Sequence, residues 1–344
     1  MISTKDFEHK QILFVLLEEG EKVSFKNDNI IILNKEGKIK HQSTCYLLFA
    51  LFVSGHICVT SGLLERAKKF CFSIIFMSYT LRPYAMLPAR AEGNVILRRK
   101  QYEYQSFELG AHIISNKIHN QNAVLKKIRE KSSELKKVIA TLEVNEKKVL
   151  LPDLKLEEIM GLEGTSARIY FGQLFKDYDW KARRPRVKQD MINCLLDIGY
   201  SLLFNLIDGL LEMYGFDTYV GILHREFFNR KSLVCDMVEP FRAIIDNALI
   251  KALNLGQCNE KDFFKSQNQW MIGGKKAAPY ITIFIHALLE RKNEIFLYIQ
   301  TYYRSFMRNK PVEEYPVFYL KERKSLVFLP WQTNLCRFSL KNCD

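Results

Sequence analysis

The sequence predicts an α+β chain, with an N-terminal β-rich, β-sandwich-like domain over residues 1–88 and a larger, mainly α-helical domain over 89–344. Three observations carry this. Short apolar runs separated by tight-turn signals fill the first part. A stretch punctuated by Pro83, Pro88 and Gly93 marks a boundary. Beyond it, apolar residues recur with a helical rather than a strand period.

Taken in order, residues 12–17 form a short apolar run suited to a strand. Residues 22–26 and 30–33 flank Asn27-Asp28-Asn29, residues that favour tight turns, and so predict a hairpin. A second turn signal, Lys35-Glu36-Gly37-Lys38, follows at once. Residues 57–60 and 70–77 are candidate strands, with a short helix over 63–69 between them. Nothing in this part suggests catalysis, and it is read as a scaffold or oligomerisation module. Further on, Leu195, Leu196, Ile198, Leu202, Leu203, Leu206, Leu210 and Leu211 follow the i, i+3, i+4, i+7 spacing of a long buried helix. Residues 280–307 repeat that pattern.

The formal charge of the 344-residue chain is +13, from 51 Lys and Arg against 38 Asp and Glu, with a pI near 9.2. Such an excess concentrates polyanions and predicts salt-sensitive affinity for DNA or RNA. The eight cysteines are scattered without a C-x-x-C pair, which argues against a zinc ribbon or iron–sulfur cluster and fits a reducing cytoplasm. Residues 1–9 are polar and resemble no secretory signal, and the apolar run over 47–53 is too short to span a bilayer.

Three stretches carry side chains able to hold a metal. Glu163 stands in IMGLEGTSARIYFG, between Gly161-Leu162 and Gly164, where glycine lets a ligand approach; the plainer reading is a carboxylate favoured by a helix start. His224 ends the apolar stretch Tyr219-Val220-Gly221-Ile222-Leu223, where a satisfied core histidine is the common outcome. Asp236 and Glu239, in LVCDMVEPFR, are three residues apart and would share one face of a helix, with Arg242 extending it. Two carboxylates and an imidazole suit Mg²⁺ or Mn²⁺ with positions left for water and phosphate oxygens. Ion pairs to Arg168 or Arg242 could instead satisfy the acids without a metal.

Among basic stretches, residues 117–148 carry many lysines partly offset by Glu130, Glu134, Glu143 and Glu146, the pattern of a solvated helical face or, on a sharper reading, of a DNA-tracking surface. The tighter cluster Lys181, Arg183, Arg184, Arg186 and Lys188, beside Trp180, is better suited to phosphate. Gly273-Gly274-Lys275-Lys276 lacks the remainder of a P-loop, and neither G-x-S-x-G nor H-E-x-x-H occurs.

The ordered set GNVILRRKQY (93–102), MGLEGTSARIYF (160–171), RRPRVKQDMINCLLDIGYSLL (183–203), YGFDTYVGILH (214–224) and LVCDMVEPFRAIID (233–246) resembles the CRISPR-associated spacer integrase and endonuclease family (Cas-one). The overall pattern is most similar to variants from type V-A systems. The resemblance implies an N-terminal β domain that dimerises and an α-helical domain holding Mg²⁺ or Mn²⁺ on Glu163, His224 and Glu239. Glu239 stands where the family often has Asp. Asp236 matches a nearby family acid, which takes a second metal or a supporting hydrogen bond.

The resemblance further implies insertion of captured double-stranded DNA fragments (spacers) into a CRISPR repeat by two transesterifications. It implies a heterohexamer of two homodimers with a small Cas-two partner, and allows a separate Cas-four nuclease. Arg168, Arg183, Arg184, Arg186 and Arg242 are the expected DNA contacts. Two other readings stay open: a catalytically idle DNA-binding scaffold, and a general hydrolytic nuclease.

Overall fold

The computed structural model describes residues 4–89, 94–185 and 187–320. Arg186, the glycine opening GNVILRRKQY and the segment 321–344 lie outside them. A short helix α1 (Thr4–Glu8) precedes strand β1 (Gln11–Leu16). Strands β2 (Lys22–Lys26), β3 (Asn29–Leu33) and β4 (Ile39–Thr44) follow as an antiparallel sheet. Both expected turns are present, with Asn27 and Gly37 at positive φ. Strand β5 (Leu48–Ser54), helix α2 (Ser61–Phe70), strand β6 (Ser73–Met77) and strand β7 (Pro83–Leu87) complete a second sheet of order β1-β5-β6-β7.

Strands β1, β5 and β6 are parallel, and only β7 runs antiparallel to its neighbour. Their near-continuous apolar sequences suit parallel strands buried on both faces. Alternate residues duly enter different cores. Val15, Leu51, Val53, Ile74 and Phe76 pack with Ile30, Ile32 and Leu63, between the sheets and α2. Phe14, Ala50, Phe52, Ile75 and Met77 join Phe7, Leu203 and Phe296 in the helical core. The β-rich part and the helices therefore share apolar packing.

Two expectations fail locally. Residues 57–60 form no strand; they are the loop that leads into α2, whose first turn follows Thr60. The stretch read as pure boundary contains β7, with Pro83 at its first residue, where an edge strand tolerates the missing N–H.

The helical part comprises α3 (Val95–Glu103), α4 (Glu108–Lys126), α5 (Ser133–Lys148), α6 (Leu156–Leu174), α7 (Met191–Tyr214), α8 (Ser232–Met237) and α9 (Arg242–Asn254). A small hairpin, β8 (Phe264–Ser266) and β9 (Gln269–Met271), leads to α10 (Ala278–Met307). Both long helices expected from periodicity are present, as α7 and α10. Helix α7 starts on Asp190, whose side chain accepts from the Asn193 N–H at 2.7 Å. By length and composition α7 could cross a membrane, but 78% of its most apolar window is buried against the rest of the chain. Its three acids are paired, Asp197 with Arg183 and both Asp208 and Glu212 with Lys231, as expected of a central helix. The six described cysteines are free, with Cys45 and Cys194 buried.

Candidate active site

Helices α4, α6, α8 and α9, one 3₁₀ turn and one loop build the site. Helix α4 passes beneath α6 and the 3₁₀ turn Glu239–Phe241, and α9 starts immediately after that turn. At position 110 of α4 an added Cβ would stand 2.4 Å from a Leu223 methyl, so Gly110 lets the His224 loop lie directly on the helix. Gly221 does the same inside the loop, where a Cβ would meet the His224 carbonyl at 2.6 Å and an Asp236 oxygen at 2.9 Å.

Asp236, fully buried, organises that loop. One oxygen accepts from the N–H groups of Ile222 (2.6 Å) and Leu223 (3.1 Å), and the other from the His224 N–H (3.1 Å). The second oxygen also lies 2.6 Å from His224 Nδ1. A carboxylate can only accept here, so Nδ1 carries the proton and Nε2 keeps its lone pair for a ligand, the arrangement in which outer carboxylates hold metal-binding histidines. Asp236 and Glu239 do not lie on one unbroken α-helix. Pro240, which lacks an N–H, ends α8 and forces the 3₁₀ turn, so the two acids take different partners.

Glu239 is 4% exposed. One of its oxygens accepts from Arg242 Nε at 2.9 Å and pairs with Lys117 Nζ at 2.6 Å. The same Lys117 ammonium bonds Glu163, in the middle of α6 rather than at its start. Two carboxylates from segments distant in sequence therefore meet on a single buried cation. His224 lies within electrostatic range of Glu239. Lys117 escaped the sequence reading because it opens a polar, lysine-rich stretch. The available signal was the alternation of Asn116, Lys117, Asn120 and Gln121 with Ile113, Ile114, Ile118 and Val124, all buried on one helix.

Among the described residues, no three His, Cys, Asp or Glu side chains already form a metal shell. Lys117 accounts for this, because its ammonium sits between the two carboxylates where a cation would. The donor set nevertheless fits a hard divalent ion, with two carboxylates that already converge on a cation and an imidazole with one free nitrogen.

A second buried layer supports Arg242. Its guanidinium stands over the Tyr200 ring at 4.6 Å, and Tyr200 (2.5 Å) and Tyr170 (3.0 Å) donate to opposite oxygens of the buried Asp246. Burial pushes Asp246 up from 3.8 to about 6, despite the hydrogen bonds of Tyr200 and Tyr170. For Glu239, burial acts upward too, but Arg242 and then Lys117 hold it down from 4.5 to about 2. Opposite pH dependences follow. The Glu239 contribution is complete above pH 4.5 and is lost as pH falls towards 2. The Asp246 contribution is complete below pH 3.8 and is lost as pH rises through 6. Asp246→Asn should thus lower the Tm of the metal-free chain more at pH 5 than at pH 7, a comparison made by thermal denaturation across that range.

The expected DNA contacts separate. Arg168 and Arg184 are exposed, as is Lys181. Arg183 is turned inward, bonding Asp197 at 2.5 Å and Asn193 at 3.0 Å, with its side chain 15% exposed. Arg242 is committed to Glu239, and Lys188 is buried. Arg183→Ala should cost about 1–3 kcal/mol of stability. Arg184→Ala should leave stability within about 0.5 kcal/mol and reduce the salt dependence of DNA binding by about one counterion. Denaturant unfolding and salt-titrated binding isotherms separate the two. In the polar stretch 117–148, Lys126 pairs with Glu143 at 2.7 Å on the surface, as a solvated helical face should.

The family model for CRISPR associated protein Cas1 matches residues 14–284. A CRISPR-associated endonuclease Cas1 of Francisella tularensis subsp. novicida is 27% identical over 247 residues, covering 69% of this chain and 77% of its own. Among solved structures, a casposase bound to integration product superposes with a TM-score of 0.73 at 21% identity, over 92% of this chain and 96% of its own. A Cas6-RT-Cas1–Cas2 complex gives 0.75 at 21% identity, over 91% of this chain. This chain spans only 36% of that longer polypeptide.

Proposed function

The chain belongs to the CRISPR associated protein Cas1 family, and on that premise we propose that it is a metal-dependent DNA integrase and endonuclease that inserts captured DNA fragments into a CRISPR array. The observation that carries this reading is the convergence of Glu163 and Glu239 on one cation, with a third donor, His224, oriented by Asp236. Those three side chains would hold Mg²⁺ or Mn²⁺. The bound ion would polarise the scissile phosphate and stabilise charge developing on its oxygens.

The chain's own residues do the rest. Asp236 keeps the His224 imidazole in the tautomer that presents Nε2. Arg242 holds the Glu239 carboxylate ionised and in place. Arg168, Arg184 and Lys181 grip phosphates without reading sequence. A fragment 3′-hydroxyl then attacks a repeat phosphodiester, a new 3′–5′ bond forms, and the displaced 3′-oxygen leaves; hydrolysis is the same displacement with water as nucleophile. The charge of +13 supports double-stranded DNA as the partner. The likeness to a Cas6-RT-Cas1–Cas2 complex supports a small Cas2 partner, to which we add a homodimer of this chain. We extend that to a heterohexamer, with a separate Cas4 nuclease as a further associate.

The Glu239–Arg242 pair is what the idle-scaffold reading expects, so the test must distinguish the two. A branched DNA that mimics the half-joined product is incubated with the chain and Mg²⁺ or Mn²⁺. Metal-dependent resealing of the target strand supports the integrase. Degradation of the branch without resealing supports a general nuclease. Tight binding with no reaction, in the presence of the Cas2 partner as well, supports the scaffold.

A further inference from the structure

We propose that Lys117 is an internal counter-cation that the divalent ion must displace, so that ion and DNA phosphate bind as a coupled pair. The inference rests on the metal reading of Glu163, His224 and Glu239 and adds a residue that reading did not contain. Lys117 is 6% exposed and reaches both carboxylates at once.

Charge balance gives the consequence. Glu163 and Glu239 are already neutralised by Lys117 and Arg242, all four gathered in one largely buried cluster. A divalent ion entering this cluster adds two positive charges and takes the carboxylate oxygens from Lys117. Excess buried charge is costly unless paired. DNA supplies the pairing, since its phosphates bring the missing negative charge and give the displaced ammonium an acceptor. Metal alone should therefore bind weakly, metal with DNA tightly, and by linkage each should raise the other's affinity by the same factor.

The test measures free Mn²⁺ by electron paramagnetic resonance during titration of the full chain, with and without a short duplex that has a 3′-hydroxyl end. Wild type, Lys117→Met and Glu163→Gln are compared. In wild type, DNA should tighten Mn²⁺ binding by about tenfold or more. Lys117→Met should bind Mn²⁺ about tenfold more tightly than wild type without DNA and show a smaller effect of DNA. Glu163→Gln should lose Mn²⁺ binding in both arms while still binding DNA.

An unchanged or weakened affinity in Lys117→Met, or no effect of DNA on wild type, overturns the proposal while leaving the metal reading intact. Absence of Mn²⁺ binding by wild type in both arms overturns the metal reading itself. Should metal-free Lys117→Met be unfolded by circular dichroism, Mn²⁺ is expected to restore its helicity, because the ion then replaces the ammonium. Failure to restore it counts against the proposal.

Discussion

His224→Ala is expected to abolish strand joining while leaving the chain folded and able to bind DNA. The imidazole is half-buried in a loop, and its only hydrogen-bond partner among the described residues is Asp236. Removing it takes one donor from the proposed ion and leaves the Asp236 carboxylate with its three backbone N–H bonds. Stability should therefore change little, whereas the rate should fall by more than the roughly 10–100-fold typical of an outer partner's removal. Asp236→Asn supplies that comparison, since it disturbs the tautomer but keeps the ring. Single-turnover joining assays give the order wild type, Asp236→Asn, His224→Ala. Equal loss of joining and DNA binding in His224→Ala would make the histidine a structural residue.

Glu239→Ala should have the largest effect on stability. It strands the half-buried Arg242 and leaves the buried Lys117 with Glu163 alone, and breaking a buried pair from one side costs about 3–5 kcal/mol. Glu239→Gln keeps an oxygen to accept from Arg242 and Lys117 and should lose less. Both should lose joining, because neither offers a carboxylate to an ion. Denaturant unfolding of the two variants beside wild type measures the difference. A Glu239→Ala chain as stable as wild type would mean that the cations find other partners and that the cluster is not a buried electrostatic unit.

How much of this was legible in the sequence depended on the range of the signal. The β2–β3 hairpin was visible because Asn27-Asp28-Asn29 is local turn chemistry, and α7 because its leucines repeat over many turns. Strand β5 was not, since its seven residues are all buried and a short uniformly apolar run has no period. Nor was the parallel pairing of β1, β5 and β6, which is set by contacts between distant segments.

The site divides in the same way. Glu163, His224, Asp236 and Glu239 stand out in the sequence as metal-capable side chains, and the segment-long resemblance implies their roles. What each side chain touches was settled by tertiary packing. The spacing of Asp236 and Glu239 suggests one α-helix, whereas Pro240 turns the second acid's segment into a 3₁₀ turn. Lys117 looked like one of many surface lysines, and only the packing of α4 against α6 and the Glu239 turn makes it central. Arg183 looks like Arg184 in sequence, yet Asp197, about two turns into α7, draws it inward.

The central claim is that Glu163, His224 and Glu239 hold the ion with which this chain acts on phosphodiesters. It is tested most directly by crystals grown with Mn²⁺ and a short DNA duplex, with anomalous scattering recorded at the manganese edge. The account predicts one strong anomalous peak within coordinating distance of a Glu163 oxygen, His224 Nε2 and a Glu239 oxygen, with Lys117 withdrawn from at least one carboxylate. Crystals with DNA bound, no manganese at these side chains and Lys117 still bridging Glu163 and Glu239 would contradict it.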